Sequence, residues 1–261
     1  MPTCLTPAQT AIQNGIEKIV AGEYDDCPPQ AALPTPCAAA ARPSYIVHEL
    51  ATTVRCALPT EFAMVEQSAA LMSLPQRILL WGLVYGLGPR RYLEIGTDVG
   101  GSAMIVASAV KALGDTDFSA VCIDPHFQLD DATRDYLGAR FHYLEQTNSP
   151  AAMIAAARLA GGRFDLVMID GDHRYDYALT DILLAVPYLA DGGYLLIDDA
   201  GHPQVRDAIR FAVGQLALTD CGLLCRHVIQ ASFLSNVAAG PWQGEVPRSG
   251  GLYLLHKPSG G

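Results

Sequence analysis

The sequence predicts an α/β protein built around a doubly wound parallel sheet. From Arg91 onward, short apolar runs alternate with segments of helical periodicity. Within each run, apolar residues do not alternate with polar ones, which is typical of strands buried on both faces of a parallel sheet. Helices between consecutive strands would cover the two faces of that sheet.

Seven strands and five intervening helices follow from this pattern. The predicted strands are residues 92–95, 119–123, 141–144, 166–169, 194–197, 223–229 and 252–256. The predicted helices are residues 102–113, 130–137, 150–159, 175–189 and 203–216.

Three further helices are predicted before the sheet. One begins at Thr6-Pro7, which resembles an N-cap and N1 pair, and the others begin at Thr60 and Pro75. Prolines between residues 24 and 43 indicate a linker or an exposed loop. We therefore divide the chain into an N-terminal helical segment, residues 1–75, and a larger domain, residues 76–261.

Composition excludes several classes of function. The 261 residues include 27 acidic and 17 basic side chains, a net charge of -10, so a nucleic acid would be repelled. The longest apolar stretches are well short of the roughly 18 residues that a membrane span needs. The first 20 residues lack the basic start and apolar block of a signal peptide. We expect a cytoplasmic protein with neither a nucleic-acid nor a membrane partner.

A glycine loop follows the first predicted strand. Glu94, Gly96, Gly100 and Ser102 form the spacing E-x-G-x-x-x-G-x-S. The glycines permit a tight turn against a ligand, and Ser102 could cap the next helix. The dinucleotide fingerprint needs a glycine where this chain has Asp98, so a pyrophosphate would face a carboxylate. A ligand that carries an ammonium group would instead be favoured near Glu94.

An acidic residue ends the second predicted strand. Asp124 lies about 30 residues after the loop begins, where a carboxylate can accept hydrogen bonds from both hydroxyl groups of a ribose. Together with the glycine loop, it favours a ligand that contains a nucleoside.

Three more carboxylates are predicted to converge at the same edge of the sheet. Asp170 ends the fourth strand, and Asp198 and Asp199 end the fifth. Neighbouring strands lie about 4.8 Å apart, so the three acids would repel one another unless a cation lay between them. A hard divalent ion with oxygen ligands, Mg²⁺ first, would favour the arrangement. The alternative is that these acids cap helices or lie in solvated loops.

These motifs resemble those of class I S-adenosylmethionine-dependent methyltransferases. The glycine loop, Asp124, the run Asp170-Gly171-Asp172-His173-Arg174-Tyr175 and the pair Asp198-Asp199 carry the resemblance, which spans about residues 91–256. It is most similar to small metal-dependent bacterial O-methyltransferases of natural-product pathways, the macrolide-sugar and cephalosporin types. The resemblance implies a Rossmann-like methyltransferase fold with seven strands, mostly parallel, the last one antiparallel.

The resemblance also implies roles for individual residues. Those expected to contact S-adenosylmethionine are Glu94, Gly96, Gly100, Ser102, Asp124, Asn148 and Asp170. Those expected to hold Mg²⁺ are Asp170, Asp198 and Asp199. The general base three positions beyond the first metal ligand would be His173, with Asp172 as the competitor. Asn148 or Ser149 is expected at the adenine edge, although the usual Gly-Asp pair is absent there.

The expected activity is methylation of a hydroxyl group on a small molecule bound next to the metal. A sugar diol, a catechol and an amino-polyol all remain open as acceptors. An NAD-dependent oxidoreductase is the first alternative, which Asp98 disfavours. A non-catalytic binding protein with the same fold is the second, which the three converging acids disfavour. The N-terminal helices are expected to supply a lid and the contact of a homo-oligomer.

Overall fold

The computed structural model describes residues 59–114, 117–225 and 251–259, which form one sheet covered by helices on both faces. The strands are β1 Arg91–Ile95, β2 Ser119–Asp124, β3 Phe141–Glu145, β4 Phe164–Ile169, β5 Leu189–Ile197, β6 Thr219–Cys225 and β7 Leu252–His256. The helices are α1 Met64–Gln67, α2 Leu74–Leu87, α3 Gly101–Leu113, α4 Asp131–Leu137, α5 Pro150–Ala160, α6 Tyr175–Ala185 and α7 Pro203–Gln215.

The strand order is β3-β2-β1-β4-β5-β7-β6. Strands β1 to β5 pair in parallel, and β7 is antiparallel to both of its neighbours. The predicted doubly wound, mostly parallel sheet with an antiparallel last strand is therefore confirmed. The order reverses between β1 and β4, which is where such folds bind ligands beyond the carboxyl ends of the strands.

The sheet separates two apolar layers. Tyr92 of β1 packs with the layer that includes Trp81 of α2, whereas its neighbour Leu93 packs with the layer that includes Ile182 and Ile209. All of these side chains are at most 2% exposed. Burial on both faces explains why the apolar runs of the sequence do not alternate. None of the helices in the described ranges combines the length and the apolar composition that a membrane span requires.

The helix predicted from Thr60 is much shorter than its apolar pattern implied. A 3₁₀ turn, Thr60–Ala63, leads into α1, which ends at Gln67. Residues 68–72, the 68–72 segment hereafter, are not helical. The guanidinium group of Arg77 donates hydrogen bonds to the carbonyls of Ser68, Ala70 and Met72. These hydrogen bonds from a side chain of α2 hold the segment in its non-helical course, which the apolar periodicity of residues 60–72 did not predict.

Other helices and strands begin or end a few residues from their predicted boundaries. Helix α6 ends at Ala185, a 3₁₀ turn follows over Val186–Tyr188, and β5 begins at Leu189, so the predicted helix over 175–189 was too long. Pro187 has no N–H to donate to a continuing helix. Strand β6 begins at Thr219, before the predicted 223–229. Residues 226–229 of that predicted strand lie outside the described residues. The same holds for the helix predicted from Thr6-Pro7 and for the proline-rich linker.

A contact between backbones fixes the 68–72 segment on the first turn of α3. A Cβ atom at Gly101 would lie 2.1 Å from the Ala70 nitrogen, so only glycine allows this approach. The Ser68 hydroxyl donates to the Gly101 carbonyl at 2.5 Å and accepts from the Ala70 N–H at 3.1 Å. The segment is thereby held beside the loop that precedes α3.

Replacing Gly101 by Ala should lower the free energy of unfolding by about 2 kcal/mol, because the new methyl group must displace the 68–72 segment. Gly82→Ala is the matched control. It lies inside α2 with no atom within 4 Å of a new Cβ, so it should stabilise the protein by about 0.5–1 kcal/mol. Urea unfolding of both variants would measure the difference, and equal effects would contradict the contact.

Candidate active site

The glycine loop between β1 and α3 packs directly against the end of β4. Gly96 has φ +86, and a Cβ there would lie 2.0 Å from the carbonyl oxygen of Asp170. Gly100 has φ +80 and closes the loop as the N-cap of α3. Asp98 between them adopts φ +46, a conformation that costs energy for a residue other than glycine. The sheet thus brings the glycine loop and Asp170 into contact, as the sequence predicted.

Asp124 holds this loop in place. Its Oδ2 accepts hydrogen bonds from the N–H groups of Thr97 and Asp98, both at 2.9 Å, and its Oδ1 accepts from the N–H of His126 at 2.7 Å. A carboxylate has about four acceptor sites, so one remains for a ligand. The predicted ribose contact could therefore involve one hydroxyl group on Asp124, rather than two.

Glu94 lies behind the loop and is completely buried. It accepts hydrogen bonds from the Tyr92 hydroxyl at 2.7 Å and the Ser102 hydroxyl at 2.8 Å. Burial raises the pKa of Glu94 to about 7, although these two bonds act in the opposite direction. Ser102 makes no capping bond to α3, contrary to our expectation, and instead connects Glu94 to the cleft that Ser102 lines.

A small cleft of about 150 Å³ opens between the glycine loop and the 68–72 segment. It is lined by Ala70, Leu71, Met72, Gly96, Thr97, Asp98, Val99, Gly101, Ser102, Asp170 and Asp198. Asn148 is not among these residues. Its Nδ2 donates to Asp181 at 3.0 Å, and its Oδ1 is buried without a hydrogen-bond partner.

The carboxylates beside the cleft have different partners. Asp170, His173 and Asp199 can bring one ligand atom each within 4.8 Å of one another, and His173 Nε2 lies 2.7 Å from Asp199 Oδ2. Asp198 is not one of these three residues, and its Oδ1 accepts hydrogen bonds from Gln76 Nε2 and from the Asp199 N–H, both at 2.7 Å. Two of the three predicted metal ligands therefore meet with the predicted base.

The electrostatics of the cluster favour a cation. Burial, reinforced by Asp199, raises the pKa of Asp170 to about 7. Burial and the neighbouring Asp170 and Asp199 also raise the pKa of Asp198. The hydrogen bond with Asp199 raises the pKa of His173, which burial partly opposes. Several acids thus share a poorly solvated site, and a divalent ion with oxygen ligands would relieve their repulsion.

Asp172, the competing base, faces a different partner. Its carboxylate accepts hydrogen bonds from the Nε, Nη2 and backbone N–H of Arg174, at 2.8 to 3.1 Å. The bonds from Arg174 hold the pKa of Asp172 below its usual range. A carboxylate with a lowered pKa is a weak base, so the geometry favours His173.

Sequence reasoning missed two parts of this site. The 68–72 segment lines the cleft but carries no motif. Gln76 contacts Asp198 from α2, and its only sequence signal was the spacing Ser73-x-x-Gln76, which is typical of a capping box.

Comparisons with known proteins agree with this geometry. Residues 93–200 match a family model described as a methyltransferase domain. A rhamnosyl O-methyltransferase from Mycobacterium bovis is 31% identical over 124 residues, 45% of this chain and 49% of the relative. The chain thus spans about half the length of this curated relative.

Two solved structures share the fold. An O-methyltransferase from Bacillus cereus in complex with SAH aligns with a TM-score of 0.53 and 15% identity, over 79% of this chain and 96% of that chain. The O-methyltransferase TomG from Streptomyces achromogenes, involved in tomaymycin synthesis and solved with SAM, aligns with a TM-score of 0.51 and 18% identity, over 81% and 96%. Residues 93–200 are therefore similar to a methyltransferase domain, and the chain shares the fold of these two O-methyltransferase structures.

Proposed function

We propose that the protein is an S-adenosylmethionine-dependent O-methyltransferase that methylates a hydroxyl group of a small molecule, with Mg²⁺ bound beside the cofactor. The contact of the glycine loop with Asp170 carries this proposal, because it joins a cofactor cleft to a cluster of carboxylates and His173. The rhamnosyl relative makes a sugar hydroxyl the first candidate, and the tomaymycin enzyme supports a natural-product intermediate more generally.

The residues of the cleft fit the cofactor. The amino-acid end would lie between the 68–72 segment and the glycine loop, with Ser102 and Glu94 near its ammonium group. The free acceptor site of Asp124 would receive one ribose hydroxyl. Asn148 does not line the cleft, but its buried Oδ1 has no hydrogen-bond partner, which supports a contact with the amino group of adenine. Gly96, Gly100 and Asp170 complete the set of predicted contacts.

The acidic cluster fits a hard divalent ion. Asp170 and Asp199 offer carboxylate oxygens next to each other, and Asp198 lines the same cleft. Mg²⁺ prefers oxygen to nitrogen ligands, so His173 would remain free to act as a base. When bound, S-adenosylmethionine supplies the electrophilic methyl group, and Mg²⁺ supplies positive charge that lowers the pKa of the acceptor hydroxyl.

The side chains would then move a single proton. His173 Nε2 lies 2.7 Å from Asp199 Oδ2 and donates to it, so the proton of the acceptor hydroxyl would be taken at Nδ1. Asp199 orients the imidazole ring through this bond and stabilises its protonated form. The 68–72 segment covers one side of the cleft and limits the access of water. The rest of the catalysis is alignment of the reacting groups.

The NAD-dependent alternative is not favoured. The N–H groups of Thr97 and Asp98 already donate to Asp124, so two backbone donors of the loop are unavailable to a pyrophosphate. Asp98 also lines the cleft. A non-catalytic binding protein would need no base beside its acids, and the pairing of His173 with Asp199 supports catalysis.

We further propose that residues 1–75 cover the site and form the contact of a homo-oligomer, next to a catalytic domain of residues 76–261. Their described part supports the covering role, since Ala70, Leu71 and Met72 line the cleft. We also propose a small acceptor in the cytoplasm, with neither a nucleic-acid nor a membrane partner. The net charge of -10 supports the exclusion of a nucleic acid.

Asp124→Ala should weaken the binding of S-adenosylmethionine by about 2 kcal/mol, because the ligand loses a charged acceptor and the loop loses its support. Asp130→Ala is the matched control, since Asp130 also accepts a backbone N–H, that of Thr133, but at the exposed N-cap of α4. Calorimetry with S-adenosylmethionine and with NAD would measure both variants. Unchanged affinity in Asp124→Ala would contradict the assignment, and preferential binding of NAD would contradict the proposed function.

Removal of divalent ions should abolish turnover but leave cofactor binding largely intact, because the cofactor uses the glycine loop and Asp124. Methyl transfer to a set of sugars can be followed in EDTA, and excess Mg²⁺ should restore it. Full activity in the chelator would show that Asp170, Asp198 and Asp199 act without a metal.

His173→Ala should lower kcat by about 10² to 10⁴, with little change in KM for the cofactor, because a positioned base is lost. Asp172→Asn should stay within a few-fold of the wild type. Activity of the wild type should fall as pH decreases through the pKa of His173, since the base must be neutral. The opposite ranking of the two variants would identify Asp172 as the base.

A further inference from the structure

Gln76 occupies an unusual position for a polar side chain. It lies in the first turn of α2 and is only 2% exposed. Its Oε1 accepts hydrogen bonds from the N–H of Ser73 at 2.9 Å and from the Ser73 hydroxyl at 2.7 Å. Both acceptor sites of this oxygen are therefore used within the capping box of α2.

The capping box determines which way the Gln76 amide points. Because its oxygen faces the donors of Ser73, its nitrogen faces the opposite side, where it donates to Asp198 Oδ1 at 2.7 Å. A reversed amide would place a donor against the Ser73 N–H and an acceptor against a carboxylate. The chemistry of the two partners thus permits one orientation only.

Asp198 is fixed in turn. Its Oδ1 receives a second hydrogen bond, from the N–H of Asp199 at 2.7 Å. Within the described ranges of the chain, no donor contacts Oδ2 of the same carboxylate, although Asp198 lines the cleft. Rotation of the carboxylate would break two short bonds in a buried site, so Oδ2 is the oxygen left for a ligand.

We propose that Gln76 is a positioning residue that presents Asp198 Oδ2 to the divalent ion. It also ties the acidic pair to Ser73, the residue that follows the cleft-lining 68–72 segment. This inference rests on the proposed function and deepens it, because it gives Asp198 a role that differs from those of Asp170 and Asp199. One oxygen of Asp198 is structural, and the other is functional.

Two variants separate positioning from helix capping. Gln76→Met and Ser73→Ala both disrupt the capping box. Ser73→Ala loses only the hydroxyl and keeps the backbone N–H that orients the Gln76 amide, whereas Gln76→Met removes the donor to Asp198. We expect a similar loss of thermal stability in both. The dissociation constant of Mn²⁺, measured by electron paramagnetic resonance, should rise about tenfold in Gln76→Met and stay within twofold in Ser73→Ala. The affinity for S-adenosylhomocysteine, measured by calorimetry, should stay within threefold in both.

A third variant keeps the test valid if Gln76→Met fails to fold. Asn in place of Asp198 retains an oxygen for Gln76 and for the Asp199 N–H, which places its NH₂ group at the position of Oδ2. Asp198→Asn should therefore keep the wild-type melting temperature and bind Mn²⁺ at least tenfold more weakly.

The outcomes test the role of Gln76 separately from the proposed function. If Mn²⁺ affinity is unchanged in Asp198→Asn or Gln76→Met, or falls equally in Ser73→Ala, the role of Gln76 is overturned while the proposed function stands. A wild-type chain that binds neither Mn²⁺ nor S-adenosylhomocysteine would overturn both.

Discussion

The approach of Gly96 to the backbone of Asp170 is the constraint on which the rest of the site depends. No side chain fits between the two, since a Cβ at position 96 would overlap the Asp170 carbonyl. The turn after β1 and the end of β4 are consequently a single packed unit. Asp124 stabilises the same turn from β2, and the 68–72 segment closes it from the side of α3. Three strands and one irregular segment thus meet around this one loop.

This arrangement buries negative charge. Glu94, Asp170 and Asp198 all lie in surroundings that raise their pKa values, and they do so within a protein that already carries a charge of -10. Desolvation opposes ionisation of each acid, and the neighbouring acids add to that cost. Hydrogen bonds from Tyr92, Ser102 and Gln76 offset only part of it. The remaining imbalance is what a cationic ligand or a metal ion would correct.

The sequence was sufficient for the fold because buried parallel strands have a pattern that few other elements share. It also placed Gly96, Asp170 and Asp199 at one edge, since the carboxyl ends of parallel strands must meet there. It could not give the course of residues 68–72, because Met64, Val65, Ala69 and Met72 fit a helix and the bonds from Arg77 that oppose it come from another element. The sequence also could not show which oxygen of Asp198 is left for a ligand. That depends on the hydrogen bond from Gln76, which lies 122 residues away in the chain. The roles of these residues in binding and catalysis stay predictions.

The place of β7 in the sheet has a consequence for how the molecule is made. Strand β7 lies between β5 and β6, although β6 precedes it in the chain and residues 226–251 separate the two. While a ribosome is still synthesising that connection, the hydrogen-bonding edge of Tyr194–Ile197 has no partner from β7. An unpaired, apolar strand edge is a site for association between nascent chains. Damage to Leu252–His256 would therefore reduce the yield of soluble protein before it affected the cleft at the opposite side of β5.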